Sequence, residues 1–139
     1  MRVVLDTTVL VAGLQSASGA SRQVLRLVHA GRLKPLASTA LFLEYEDVLL
    51  RPAILARTGL GFEDIRRFLG AFALLVEPVV IDVSWRPASP DPDDDRVVDC
   101  AVNGRADALV THNLRDLAVA GRLGVAVTTP GRLLRSLDR

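Results

Sequence analysis

Apolar positions along the chain fall into two alternating patterns. Short continuous runs, each closed by polar or turn-forming residues, predict buried strands at Val3–Leu5, Pro35–Ala37, Val79–Ile81, Ala108–Val110 and Val125–Val127. Between them lie segments with apolar residues at helical spacing. Val9–Leu14 predicts a short helix, and Ser21–Ala30 an amphipathic one carrying Val24, Leu25, Leu27 and Val28 and stopped by Gly31. Ser38 or Thr39 can cap a helix that runs to about Leu50, and Pro52 suits the first turn of another. Glu63–Val76 places Ile65, Phe68, Leu69, Phe72 and Leu75 on one helical face. Arg96–Gly104 predicts a short helix, and Thr128 or Thr129 caps a last one that has Pro130 at its first position. Trp85–Asp95, with three prolines and four aspartates, reads as a loop. Strands alternating with helices predict an α/β fold, a three-layer α/β/α domain around a mainly parallel five-stranded sheet.

The 139 residues form a single domain in this scheme, with no repeat or linker between parts. One cysteine, Cys100, excludes an intrachain disulfide, which points to a reducing cytoplasm. A faint secretory pattern at the N-terminus is broken by Asp6, Thr7 and Thr8, and no apolar run approaches the roughly 18 residues of a membrane span. The formal charge of +1 excludes a polybasic arm and an acidic tail. Sixteen of the 17 basic residues are Arg, so lysine chemistry would fall to Lys34 alone.

Ligands of open parallel sheets bind at the carboxyl ends of the strands, and acids gather there. Asp6 directly follows the first predicted strand, and Asp116 follows Ala108–Val110 by one turn. Glu44 falls between Leu41 and Val48 on the apolar side of its helix, where a charge is costly unless paired or metal-bound; an Arg partner at the core's edge is the structural alternative. Asp91, Asp93, Asp94, Asp95 and Asp99 crowd nine positions. Helix-end acids account for some of them. Asp95 and Asp99, however, are four apart beside Val98 and Val102, so they share an inward face and repel unless a cation lies between them. His29 reads as a surface residue, and no His or Cys clusters with the acids. Converging carboxylates of this kind specify a hard divalent cation, Mg²⁺ or Mn²⁺, rather than zinc. Such an ion is the usual apparatus of phosphodiester hydrolysis, with no protein nucleophile required. Thr8 and Thr111 can orient a water or a carboxylate there, whereas Thr7 reads as a turn residue.

Four segments in this order, Val-Val-Leu-Asp6-Thr-Thr-Val-Leu, Ser-Thr-Ala-Leu-Phe-Leu-Glu44-Tyr-Glu-Asp-Val-Leu, Asp-Pro-Asp-Asp-Asp95 and Leu-Val-Thr111-His-Asn113-Leu-Arg-Asp116-Leu, resemble the PIN-domain ribonucleases. They are most similar to the prokaryotic branch of VapC-like toxins of toxin–antitoxin systems, over about residues 1–130. The resemblance implies RNA cleavage at an Mg²⁺ or Mn²⁺ site held by Asp6, Glu44, Asp95 and Asp116. Thr8, Asp99, Thr111 and Asn113 are candidates for the surrounding shell. Asn113 stands where many members of the branch have Asp, so either it or Asp116 supplies the fourth ligand. The resemblance also implies a homodimer and a small antitoxin protein as partner.

Two other functions compete. A phosphoacceptor signalling domain would need a lysine after the last strand, and none follows Val127. A non-catalytic PIN-like interaction module is kept open by Asn113. Subtracting Asp6, Glu44, Asp95, Asp99 and Asp116 leaves about +6 on the rest of the chain, enough for phosphate contacts. Phe42, Tyr45 and Phe72 read as core rather than as a stacking platform. Leu43, Leu50, Ile54, Leu55, Leu60 and Leu74 exceed what one buried face requires, which suggests a symmetric partner.

Overall fold

Val3, Val4, Leu5, Leu109 and Val110 have no exposed surface, because strands buried on both faces read as unbroken apolar runs rather than as alternating ones. The computed structural model describes residues 1–84 and 92–138, without the side chains of residues 92 and 93. Its strands are β1 (Arg2–Leu5), β2 (Lys34–Ala37), β3 (Glu77–Pro78), β4 (Ala108–Val110) and β5 (Ala126–Thr128). They form one sheet in the order β3-β2-β1-β4-β5, and every pairing is parallel. The register sets Val3, Val4 and Leu5 against Ala108, Leu109 and Val110, which in turn face Ala126, Val127 and Thr128.

The helices are α1 (Thr7–Gln15), α2 (Ala20–His29), α3 (Thr39–Leu49), α4 (Pro52–Thr58), α5 (Phe62–Leu75), α6 (Pro92–Asn103), α7 (Val119–Arg122) and α8 (Pro130–Leu137). The result is a three-layer α/β/α arrangement. Ser38 caps α3 by accepting from the Leu41 amide, and Thr129 caps α8 by accepting from that of Arg132. Gly59, at φ +72°, closes α4 in the left-handed conformation that favours glycine. None of the described helices is long and apolar enough to cross a membrane.

Some boundaries differ from the sequence expectation, each for a physical reason. The third strand is Glu77–Pro78 rather than Val79–Ile81. Its partner β2 ends at Ala37, where Ser38 turns the chain into α3, so no backbone remains for Val80 and Ile81 to pair with. Pro78 is tolerated because β3 is an edge strand. The acidic loop expected at Trp85–Asp95 gives way to α6 from Pro92 onward: proline suits a helix's first turn, and Asp94 and Asp95 follow near its positive end. Residues 85–91, Asp91 among them, lie outside the described residues. The short helix α7 had no periodic signal.

Phe42, Tyr45, Phe68 and Phe72 form an aromatic cluster with centroids 5.6–6.5 Å apart, so the aromatics do belong to the interior. Leu50, Ile54, Leu55 and Leu60 also pack against the core and are not surplus, unlike Leu43 and Leu74, which are 57% and 87% exposed. Cys100 is buried on α6, and burial pushes its thiol up to about 11. A thiol raised above its ordinary value stays protonated near pH 8, and only the thiolate alkylates. Iodoacetamide at about pH 8 should therefore leave the native protein unmodified by intact-mass measurement and add one adduct in guanidinium. Ready alkylation of the folded protein would refute the packing of α6 on the sheet.

Candidate active site

The sheet order reverses direction between β1 and β4, and this switch point is where open α/β sheets leave a crevice. Asp6 closes β1 and Thr111 closes β4, so both stand at its mouth. Asp6 occupies the N-cap position of α1 with extended backbone, yet its side chain caps nothing. The carboxylate instead accepts hydrogen bonds at Oδ2 from the Thr8 and Thr111 hydroxyls, each at 2.7 Å. Forgoing an Asp cap costs a helix about 1 kcal/mol. A buried carboxylate diverted from that role and held by two hydroxyls has another use. Oδ1 takes no hydrogen bond from the described residues.

Glu44 reaches the same place from α3. Its side chain is 8% exposed, as its position on the apolar side of the helix implies, and it has an Arg partner: Arg96 on α6 at 3.4 Å. Thr7 is more than a turn residue, since its hydroxyl donates to Glu44 at 3.5 Å. Asp95 and Asp99 are both buried on α6, one turn apart. Tyr45, one residue beyond Glu44, donates its hydroxyl to the Leu5 carbonyl at 2.5 Å and so ties α3 to the strand end that carries Asp6. Burial holds the Tyr45 phenol well above its ordinary value, with smaller contributions from Cys100, Asp6 and Glu44, so it remains a donor.

The loop after β4 is organised by its own side chains. Thr111 is fully buried and accepts from the Asn113 amide at 2.9 Å while donating to Asp6. Asn113 donates through Nδ2 to Asp116 at 2.6 Å, and its Oδ1 accepts from the Asp116 amide at 3.3 Å. Asp116 thus connects to Asp6 through Asn113 and Thr111.

A cavity of about 490 Å³ opens beside these groups. Among the described residues, Asp6, Thr7, Thr8, Glu44 and Asp94 give it polar lining, Val11, Ala12, Val48 and Ile54 give it apolar lining, and Arg57 and His112 line it too. Asp95, Asp99 and Asp116 do not line it. His112 had no counterpart in the sequence reading. It is held by Ser21 on α2, whose Oγ lies 2.8 Å from Nε2, and its only sequence signal is its place directly after the fourth strand. Arg57 and Arg96 gave none, since Arg is everywhere in this chain.

The donors are all hard oxygens, the set that suits Mg²⁺ or Mn²⁺. Among the described residues, no three His, Cys, Asp or Glu side chains stand together as a ready-made metal cage. The chemistry of the donors fits such an ion, and side-chain movement would have to complete the coordination.

The fold is shared with a chain of the crystal structure of VapBC2 from Rickettsia felis bound to a DNA fragment from their promoter. The two align with a TM-score of 0.63 at 15% identity, over 93% of this chain and 98% of that one. No curated protein matches the chain in sequence. The family model for the PIN domain matches residues 2–115, from the first strand through the Thr111–Asn113 turn. With Asp6 and Thr111 meeting at the switch point of an all-parallel sheet, and most of its length matched by that model, the chain belongs to the PIN-domain family.

Proposed function

We propose that this protein is a divalent-metal-dependent endoribonuclease. The observation that carries the proposal is Asp6: buried at the end of the central strand, withdrawn from helix capping, oriented by Thr8 and Thr111, and facing a cavity shared with Glu44 and Asp94. PIN domains are generally nucleases that use divalent metal ions.

Asp6, Glu44 and Asp95 are the acids we assign to the ion, with Asp116 as the fourth. At its partly exposed position, Asp116 can exchange its bond to Asn113 for another partner. Held by these acids, a divalent ion would supply Lewis-acid chemistry toward a phosphate and an activated water. Thr8 and Thr111 fix the Asp6 carboxylate, Asn113 fixes Thr111, and Asp99 adds negative charge from the same buried face of α6. Arg96, 3.4 Å from Glu44, offsets part of that carboxylate's charge beside the other buried acids.

The test is cleavage of RNA by purified protein. Activity should appear with Mg²⁺ or Mn²⁺, vanish with EDTA and return on adding excess ion. Cleavage that survives the chelator would remove the metal, and no cleavage with any divalent ion would favour the interaction module, for which the Arg96–Glu44 pair is the supporting contact. The phosphoacceptor alternative fails on geometry. Lys34 pairs in register with Arg2 at the start of β1, at the opposite end of the strands from Asp6, and no lysine lines the cavity.

By its resemblance to VapC-like toxins, supported by the fold shared with VapBC2, we assign this protein the role of toxin in the cytoplasm, with a small antitoxin as partner. We also propose a homodimer, supported by the exposed Leu43, Phe62 and Leu74 on α3 and α5. Light scattering at micromolar concentration should give twice the mass of the 15.0 kDa chain. A monomer would reject the dimer and leave the site intact.

A further inference from the structure

The cavity's apolar wall is unexplained by hydrolysis alone. A phosphodiester backbone is recognised by cations and hydrogen-bond donors, and Val11, Ala12, Val48 and Ile54 offer neither. They lie on α1, α3 and α4, and on α1 and α3 they sit one helical turn beyond Thr7, Thr8 and Glu44; Arg57 and His112 line the same cavity. At about 490 Å³ the cavity falls in the range of roughly 300–1,000 Å³ that encloses small organic molecules. It is roomy for a lone metal-bound phosphate.

We propose that this cavity is a subsite for one unpaired nucleotide next to the scissile phosphate. Its base lies against Val11, Ala12, Val48 and Ile54, and its phosphate lies toward Arg57 and His112. The inference rests on the nuclease reading above and adds to it which part of the substrate the enzyme grips. Two features support a fixed site. His112 is anchored to the buried Ser21 at 2.8 Å, and Arg57 on α4 donates to Gln15 on α1 at 3.4 Å, which links the two helices that carry Ala12 and Ile54. Bases buried in a duplex cannot reach such a wall, whereas a splayed-out base presents a flat apolar face. An aliphatic wall contacts that face without selecting hydrogen-bonding edges, so the subsite requires a base but tolerates several.

The experiment measures binding of a short fluorescent single-stranded RNA, too short to slide, to the Asp6→Asn protein with Mg²⁺ present. An abasic ribose is walked through the strand one position at a time. One position should weaken binding about tenfold, the effect of losing one base's buried apolar area, and the others little. Ala12→Leu, which fills the cavity with a good helix former, should abolish that position dependence. Arg57→Gln should weaken all strands alike, as a phosphate contact does. Equal affinity at every abasic position, or position dependence that persists in Ala12→Leu, overturns the subsite. Wild-type cleavage indifferent to abasic positions also overturns it while leaving the nuclease standing. Base-dependent binding without cleavage under any divalent ion keeps the subsite and rejects the nuclease.

Discussion

Asp6→Asn protein should fold like the wild type and cleave no RNA. The amide oxygen of Asn can still accept from Thr8 and Thr111, so the two hydroxyls at 2.7 Å keep an acceptor and the end of β1 keeps its shape. What disappears is the negative charge, and a neutral amide is a poor ligand for a hard cation. Asp6→Ala is the informative contrast. It removes the acceptor as well, and the fully buried Thr111 hydroxyl is left without one. That should cost about 1–3 kcal/mol, a fall of several degrees in melting temperature for a domain of this size. Thermal melts in EDTA beside cleavage rates in Mg²⁺ separate the two effects. An Asp6→Asn protein that still cleaves would show that Asp6 is architectural and would withdraw the catalytic assignment.

Thr111 tests the same network from the other strand. Thr111→Val is nearly isosteric, so it opens no cavity, but it removes a donor to a carboxylate and an acceptor for the Asn113 amide. Losing a hydrogen bond from a fully buried hydroxyl to a carboxylate should cost about 1.5–3 kcal/mol, while the exposed Asn113 amide can turn to water; cleavage should fall further than stability alone explains. Thr111→Ser keeps both bonds and should recover most of each. Urea denaturation and cleavage assays on the pair provide the check. If Val and Ser behave alike, the hydroxyl does no positioning and the path from Asp116 through Asn113 to Asp6 has no functional meaning.

The alternation of short apolar runs with helical periodicity was sufficient to name the fold class. Doubly buried parallel strands leave the strongest local signature a sheet can have, and Val3–Leu5 and Ala108–Val110 carry it plainly. Glu44 was legible for a related reason: a charge on an apolar helical stripe is a local contradiction that calls for a partner. Its Arg96 partner was foreseen as a residue type, not by number. The edges of elements were less legible. Where β3 lies depends on where β2 stops, and that is set by Ser38 capping α3, a contact between segments about 40 residues apart in sequence.

The sequence by itself determined the buried runs Val3–Leu5 and Ala108–Val110, the caps at Ser38 and Thr129 and the place of Asp6 at a strand end, because these follow from composition over a few successive positions. Only the tertiary structure decided which of those acids face the same space. It set Asp6 beside Thr111 across 105 positions of chain and His112 beside Ser21 across 91. It put Asp94 rather than Asp95 on the cavity wall, and it left Asp116 bound to Asn113. Convergence at a switch point depends on strand order, β3-β2-β1-β4-β5. Strand order is a property of long-range pairing, and no local window of sequence encodes it.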